Sequence, residues 1–303
     1  MKATVQTLEA PMVKTPAAEK PLAAALCDLF KMRLTTLVLV TTVVGFYLGS
    51  RPPMAWLLMF NTLLGTALLA SGAAALNQWI EREHDAKMLR TQDRPLPSGR
   101  LTPDAVLLIG GSCGVAGLLY LALAVNLLTA VLGAVTIGSY LFVYTPLKRV
   151  TTLNTVIGAI PGAIPPLMGW TAATGEISKQ GWCLFAILCF WQLPHFLAIA
   201  WMYRDQYAGA GYVMLPAVDP TGERTGRQAL SHTLGLVPMS LFPFIFKMAG
   251  AVYLAGALVL GAAFLWCAVQ FCRDLNTRRA RVLFFASIIY LPSLFGLMVL
   301  DKI

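Results

Sequence analysis

Charged residues are scarce in this chain. Of its 303 residues only 12% are Asp, Glu, Lys or Arg, whereas 57% are hydrophobic. A soluble globular domain carries about 25% charged residues, so the shortage excludes that class of protein. The apolar residues form runs that are each long enough, at roughly 20 residues, to cross the hydrocarbon core of a bilayer. We therefore predict an all-α fold, a polytopic membrane bundle of nine transmembrane helices. The predicted spans lie near residues 34–50, 55–79, 105–124, 126–145, 153–173, 181–202, 229–246, 249–272 and 282–300.

The six cysteines lack the spacing of a functional cluster. None belongs to a Cys-x-x-Cys pair, and most fall within the predicted spans. This pattern indicates neither a zinc site nor a disulfide framework. We interpret the cysteines as small buried hydrophobic residues.

Residues 1–25 lack both an apolar run and any Arg. With the first absence the segment does not resemble a signal peptide, and the second argues against a mitochondrial transit peptide. Because the segment is rich in Ala, Pro, Lys and Glu, we predict a disordered cytoplasmic tail. One intramembrane domain is expected to follow over residues 26–303.

The net charge of +9 records membrane topology rather than a nucleic-acid partner. With the N-terminus inside, the inner segments carry 19 Lys and Arg residues and the outer segments carry 4. The positive-inside rule then predicts a cytoplasmic N-terminus and an outer C-terminus. No nucleic acid is expected to bind.

The end of the second predicted span carries a line of oxygen-bearing side chains. Asn77, Glu81 and Asp85 recur at i, i+4 and i+8, so on a continuous helix they stack along one face. We call these three residues the ladder. Hard oxygen ligands of this kind suit Mg²⁺, which shares its coordination sphere with substrate phosphates and water. Basic residues that could meet the phosphate charge follow closely, at Lys87, Arg90, Arg94 and Arg100.

The fourth and sixth spans run in the same direction as the second, so their polar ends are predicted to meet the ladder. The fourth ends in Tyr144-Thr-Pro-Leu-Lys148, and the sixth contains Trp191 and His195 and ends near Asp205. An acidic site facing basic loops suits a pyrophosphate ester whose hydrocarbon tail lies among the helices. Membrane-embedded prenyl transfer is the chemistry that this arrangement predicts.

These motifs resemble those of the membrane-embedded prenyltransferase superfamily, over nearly the whole chain. The ladder and its basic loop are similar to the superfamily's first acidic motif, and Tyr144-Thr-x-x-Lys148 resembles its tyrosine and lysine motif. Long compound patterns are more specific than short motifs, and three of them resemble the heme-farnesylating branch: Gly158-Ala-Ile-Pro161-Gly162-Ala-Ile-Pro165-Pro166, Phe190-Trp191-Gln-Leu-Pro-His195-Phe196, and Tyr207-Ala-Gly-Ala-Gly211 leading to Met214-Leu-Pro216.

The resemblance implies that farnesyl diphosphate ionises and that a vinyl group of heme b attacks its allylic C1, giving heme O after addition of water. It implies Mg²⁺ as the cofactor, held by the ladder, and a bacterial inner membrane location among lipids. A downstream heme A synthase or terminal oxidase is the implied recipient of the product. The implied catalytic residues are Asp85, Lys148 and Asp205; the implied diphosphate-binding residues are Lys87, Arg90, Arg94, Arg100, Tyr144 and Lys148; the implied acceptor-binding residues are Trp191 and His195.

Some alternatives stay open at the level of the sequence. His195 suits a contact with heme and equally an interhelical hydrogen bond. An aromatic quinone precursor is the alternative acceptor, and a transporter is the more distant alternative function. The chain also departs from the superfamily pattern, since position 81 is Glu rather than Asp and the second acidic cluster is reduced to Asp205.

Overall fold

A computed structural model describes residues 21–303, and the regular structure within them is helical. One π-helical turn is formed by Ser139–Tyr144. In chain order the α-helices are α1 (Leu22–Leu29), α2 (Met32–Gly49), α3 (Trp56–Asp85), α4 (Pro103–Ala124), α5 (Leu127–Gly138), α6 (Thr145–Leu147), α7 (Asn154–Thr174), α8 (Lys179–Met202), α9 (Arg204–Gly209), α10 (Leu215–Val218), α11 (Glu223–Met239), α12 (Phe242–Ile245), α13 (Ala251–Arg273) and α14 (Thr277–Leu300).

The all-α membrane fold is confirmed. Within the described residues, eight helical segments are long and apolar enough to cross a bilayer: α2, α3, α4, the run from α5 to α6, α7, α8, α13 and α14. The predicted span near 229–246 falls on α11 and α12. The chain turns after Met239 and α11 begins with charged residues, so neither helix meets the length and hydropathy of a span. The number nine and the orientation of the termini stay predictions.

The predicted tail falls partly outside the described residues. Residues 1–20 lie outside them, whereas Leu22 to Ala25 form the first turn of α1. Consecutive Ala and Leu residues favour a helix there. The buried side chain of Gln78 on α3 donates hydrogen bonds to the carbonyl oxygens of Leu29 (2.7 Å) and Asp28 (3.1 Å). These bonds satisfy the exposed carbonyl end of α1 and attach it to α3.

Glycines let α2 and α7 approach until their backbones touch. A Cβ atom at Gly45 would lie 1.9 Å from the carbonyl oxygen of Pro166, and one at Gly169 would lie 2.0 Å from that of Thr42. Only hydrogen fits at such positions, which is how small residues drive helix packing in membranes. Although α7 contains three prolines, it runs as one helix from Asn154 to Thr174.

One end of the bundle gathers the carboxyl ends of α3, α6 and α8. The loop after α3 packs over this end through Met88, which is buried against Ala200, Tyr212 and Met214. The backbone N–H of Val213 donates to the carbonyl oxygen of Lys148 at 2.7 Å. These contacts bring the three polar motifs of the sequence to the same end of the protein.

Candidate active site

The ladder is formed as its spacing predicts, because α3 continues without a break to Asp85. All three side chains are buried, with 1% of Asn77, 3% of Glu81 and 1% of Asp85 exposed. The Asn77 amide donates from Nδ2 to Glu81 Oε2 at 3.0 Å and to Thr145 Oγ1 at 3.1 Å. Buried carboxylates need positive partners, since desolvation of an unpaired charge is expensive.

Each ladder residue has a cationic partner from a different part of the chain. Lys148 Nζ donates to Glu81 Oε1 at 2.8 Å, and Arg94 Nη1 donates to Asp85 Oδ2 at 2.6 Å. Lys31 Nζ donates to Asn77 Oδ1 at 2.8 Å. We call Lys31, Arg94 and Lys148 the pairing cations. Three cations face two carboxylates, so the site carries excess positive charge when Lys31 is protonated, which suits a polyanionic substrate.

Lys31 is absent from the set of residues predicted from the sequence. It lies between α1 and α2 with a left-handed backbone (φ 47°, ψ 51°), a conformation that residues other than Gly seldom adopt. This turn directs the chain so that the ammonium group reaches the ladder. Burial, together with the charges of Arg94 and Lys148, lowers the pKa of Lys31 to about 7. Its position at the same membrane edge as the ladder is the signal that could have identified it.

The ammonium group of Lys148 lies over the aromatic ring of Tyr144. Its ammonium nitrogen is 4.6 Å from the centroid of the Tyr144 ring, and that ring stacks with Tyr140 at 5.6 Å. Burial would lower the pKa of Lys148, but the oxygens of Tyr144 and Glu81 outweigh it and hold the pKa well above its ordinary value. Gly158 makes room for this arrangement, because a Cβ there would lie 2.4 Å from Tyr144 Cε2.

The other predicted diphosphate residues take different positions. Arg90 donates to the Tyr207 hydroxyl at 2.8 Å and lies over the Tyr203 and Tyr207 rings, so it joins two loops. Arg100 pairs with Asp28 at 3.3 Å, and Lys87 is exposed. Within residues 21–303 none of these three cations forms a hydrogen bond or ion pair with the ladder.

Asp205 does not join the cluster. Its side chain is 97% exposed, and its recorded ion pair is with the adjacent Arg204 at 3.8 Å. Within the described residues Asp205 makes no contact with the ladder, and its catalytic role stays a prediction. The residue lies close to the end of α8 in sequence, but α9 begins at Arg204 and carries its side chain into solvent.

The two predicted acceptor residues meet at Ser287 of α14. Trp191 Nε1 donates to the Ser287 carbonyl oxygen at 2.8 Å, and His195 Nδ1 lies 2.7 Å from Ser287 Oγ. The His195 ring stacks with those of Trp191 (4.8 Å between centroids) and Phe284 (5.1 Å). Ser287 is outside the set of residues predicted from the sequence, and it is one of two serines, with Ser293, in the apolar helix α14.

The oxygen donors of the ladder fit a hard divalent cation that shares its ligands with a substrate. Two carboxylates and an amide oxygen are ligands of the type that Mg²⁺ prefers. Within the described part of the chain, no three Asp, Glu, His or Cys side chains are grouped so as to hold a metal by themselves. A metal held here would therefore depend on phosphate oxygens and water for the rest of its coordination.

The fold is similar to those of several solved structures. A structure of digeranylgeranylglyceryl phosphate synthase superposes with a TM-score of 0.79 at 15% identity, covering 92% of this chain and 98% of that one. A UbiA homologue from Archaeoglobus fulgidus, bound to GPP and Mg²⁺, has a TM-score of 0.64 at 16% identity, covering 90% and 99%. These identities establish a shared fold.

Sequence similarity extends over almost the entire protein. A protein from Solibacter usitatus (strain Ellin6076) named protoheme IX farnesyltransferase is 48% identical over 284 residues, which is 91% of this chain and 97% of that relative. The model of the UbiA prenyltransferase family matches residues 38–289. This chain therefore belongs to the UbiA prenyltransferase family.

Proposed function

We propose that this multi-pass membrane protein transfers the farnesyl group of farnesyl diphosphate to a vinyl group of protoheme IX, giving heme O. The observation that carries the proposal is the 48% identity to the Solibacter farnesyltransferase across 97% of that protein's length. The site supports it independently, because a buried oxygen ladder with excess positive charge suits the ionisation of a prenyl diphosphate.

The ladder would hold Mg²⁺ when the metal is bound, and the metal would neutralise charge on the leaving diphosphate. The Archaeoglobus homologue with this fold binds Mg²⁺ together with GPP. With the ladder oxygens holding the metal, the pairing cations would be available to bind diphosphate oxygens. Tyr144 keeps Lys148 in place by lying beneath its ammonium group.

In the proposed reaction the C1–O bond of farnesyl diphosphate breaks, and diphosphate leaves with the electron pair. The π electrons of a heme vinyl group then form a C–C bond to the allylic C1 and leave a cation on the carbon next to the porphyrin. Water adds to that cation and loses a proton, which gives the hydroxyethylfarnesyl side chain. The half-buried aromatic ring of Trp191 is suited to a water-poor cavity that protects the cations.

We place the protein in the bacterial inner membrane, among lipids, with residues 26–303 forming one intramembrane domain. Heme O is consumed by enzymes that oxidise its ring methyl group or bind it as a prosthetic group. A heme A synthase or a terminal oxidase is therefore the proposed recipient of the product.

The decisive assay incubates purified protein in detergent with heme b, farnesyl diphosphate and Mg²⁺, and detects farnesylated, hydrated heme by mass spectrometry. We expect product with Mg²⁺ and none with EDTA. The described residues supply too few protein ligands to hold the metal against a chelator. If folded protein does not use heme b but prenylates a hydroxybenzoate, the proposed diphosphate site stands and heme is rejected as the acceptor.

Replacing Lys31 by Met should raise the KM for farnesyl diphosphate about 10- to 150-fold, because a charge-assisted hydrogen bond contributes roughly 1.5–3 kcal/mol. Met keeps most of the length of the side chain and removes its charge. Arg33→Met is the matched control, since Arg33 is exposed and lies two residues away. An unchanged KM in Lys31→Met would show that Lys31 supports the ladder without meeting the substrate.

A further inference from the structure

The hydrogen bonds of Ser287 determine which imidazole nitrogen of His195 carries the hydrogen. The Ser287 hydroxyl donates to the Phe284 carbonyl oxygen at 2.5 Å, as a serine within a helix commonly does. A hydroxyl has only one hydrogen, so its contact with His195 Nδ1 at 2.7 Å requires the imidazole to be the donor. His195 is thereby held as the tautomer with hydrogen on Nδ1, and Nε2 carries a lone pair.

The Nε2 atom of His195 has no hydrogen-bond partner among residues 21–303, while the rest of the ring is held in place. Trp191 and Phe284 stack with it at interplanar angles of 21° and 28°. Trp191 is itself attached to the Ser287 backbone. A neutral imidazole, oriented by a hydrogen bond from one nitrogen and open at the other, is the usual arrangement of a metal-binding histidine.

We propose that His195 Nε2 is an axial ligand of the iron in the protoheme substrate, and that Ser287 is the positioning residue that sets its tautomer. The inference rests on the proposed function, because it needs heme as the acceptor. Porphyrin nitrogens occupy four iron positions, which leaves an axial position for a histidine. His195 then holds the acceptor through its iron, without contact to the reacting vinyl group.

The test is a titration of purified protein with ferric heme b, without farnesyl diphosphate, followed by Soret absorption and electron paramagnetic resonance. Wild-type protein should give the spectrum of a histidine-ligated heme. His195→Gly should lose it, and added imidazole should restore it. Ser287→Ala should weaken heme b binding roughly 10- to 100-fold, as other changes behind metal-bound histidines do, and should raise the KM for heme more than it lowers kcat.

The matched control is Ser240→Ala, which removes another buried serine hydroxyl that bonds a helix carbonyl oxygen and a second side chain, Tyr290. It should leave the heme spectrum unchanged. If wild type and His195→Gly form heme O and share one heme spectrum, the axial ligand is rejected while the function stands. If folded wild type neither binds heme b nor forms heme O, both proposals fail. A Ser287→Ala protein with wild-type heme affinity rejects the positioning role.

Discussion

Replacing Asp85 by Ala should reduce turnover by at least roughly 100-fold while the protein still inserts into the membrane. Loss of a group that stabilises developing charge typically lowers kcat by about 10²–10³. Asp85 is 1% exposed and lies at the end of the ladder, 2.6 Å from Arg94. Its removal takes away a proposed metal ligand and also the partner that orients Arg94. The apolar spans that drive insertion are untouched.

The measurement is the rate of heme O formation at saturating substrates, together with the thermal midpoint in detergent. Asp274→Ala is the control, because it also breaks an aspartate–arginine pair, with Arg279 at 3.1 Å, but at an exposed position. Exposed pairs contribute little to stability, so this control should retain both activity and fold. Normal turnover in Asp85→Ala would remove the ladder from the mechanism.

Replacing Gly169 by Ala should destabilise the folded protein by about 3 kcal/mol or more, the upper range for overpacking. The added Cβ would lie 2.0 Å from the carbonyl oxygen of Thr42 and 2.7 Å from the backbone nitrogen of Phe46. Backbone atoms cannot rotate aside as a long side chain can, so α2 and α7 would be forced apart. The thermal midpoint should fall by roughly 6–12 °C.

Gly111→Ala makes the same chemical change within α4, where nothing lies within 4 Å of the new Cβ. Ala favours a helix more than Gly does, so this control should match or exceed the wild-type midpoint. Equal midpoints for the two variants would mean that α2 and α7 separate at little cost, and that their close approach is not a determinant of the fold.

The part of the site that lies within one helix could be predicted from the sequence, because helical periodicity is local. The prediction that Asn77, Glu81 and Asp85 share one face required only that α3 be continuous. Among partners from distant segments, Lys148 could be predicted from the shared direction of the spans, whereas two others could not: Lys31 is 46 residues from Asn77, and Ser287 is 92 residues from His195. Such pairs are decided by how helices pack, and a single sequence carries no pattern for them.

Two other predictions depend on the position at which a helix ends. The apolar run near 229–246 satisfies a count of hydrophobic residues, but α11 ends at Met239 and the chain turns before α12. Asp205 follows α8 directly, and its distance from the ladder depends on the turn into α9. Hydropathy predicts that a segment is apolar, whereas the position at which its helix ends depends on local backbone geometry.

The three pairing cations should couple the binding of a metal ion to the binding of diphosphate. A bare divalent ion arriving at the ladder must displace Lys31, Arg94 and Lys148 from their oxygens, and those positive groups would be left without partners in a buried place. Diphosphate supplies the missing partners. Metal and diphosphate should therefore bind with positive coupling, each raising the affinity of the other by the same factor. Without diphosphate the site should therefore bind divalent ions weakly, and the enzyme should take up its metal together with its substrate.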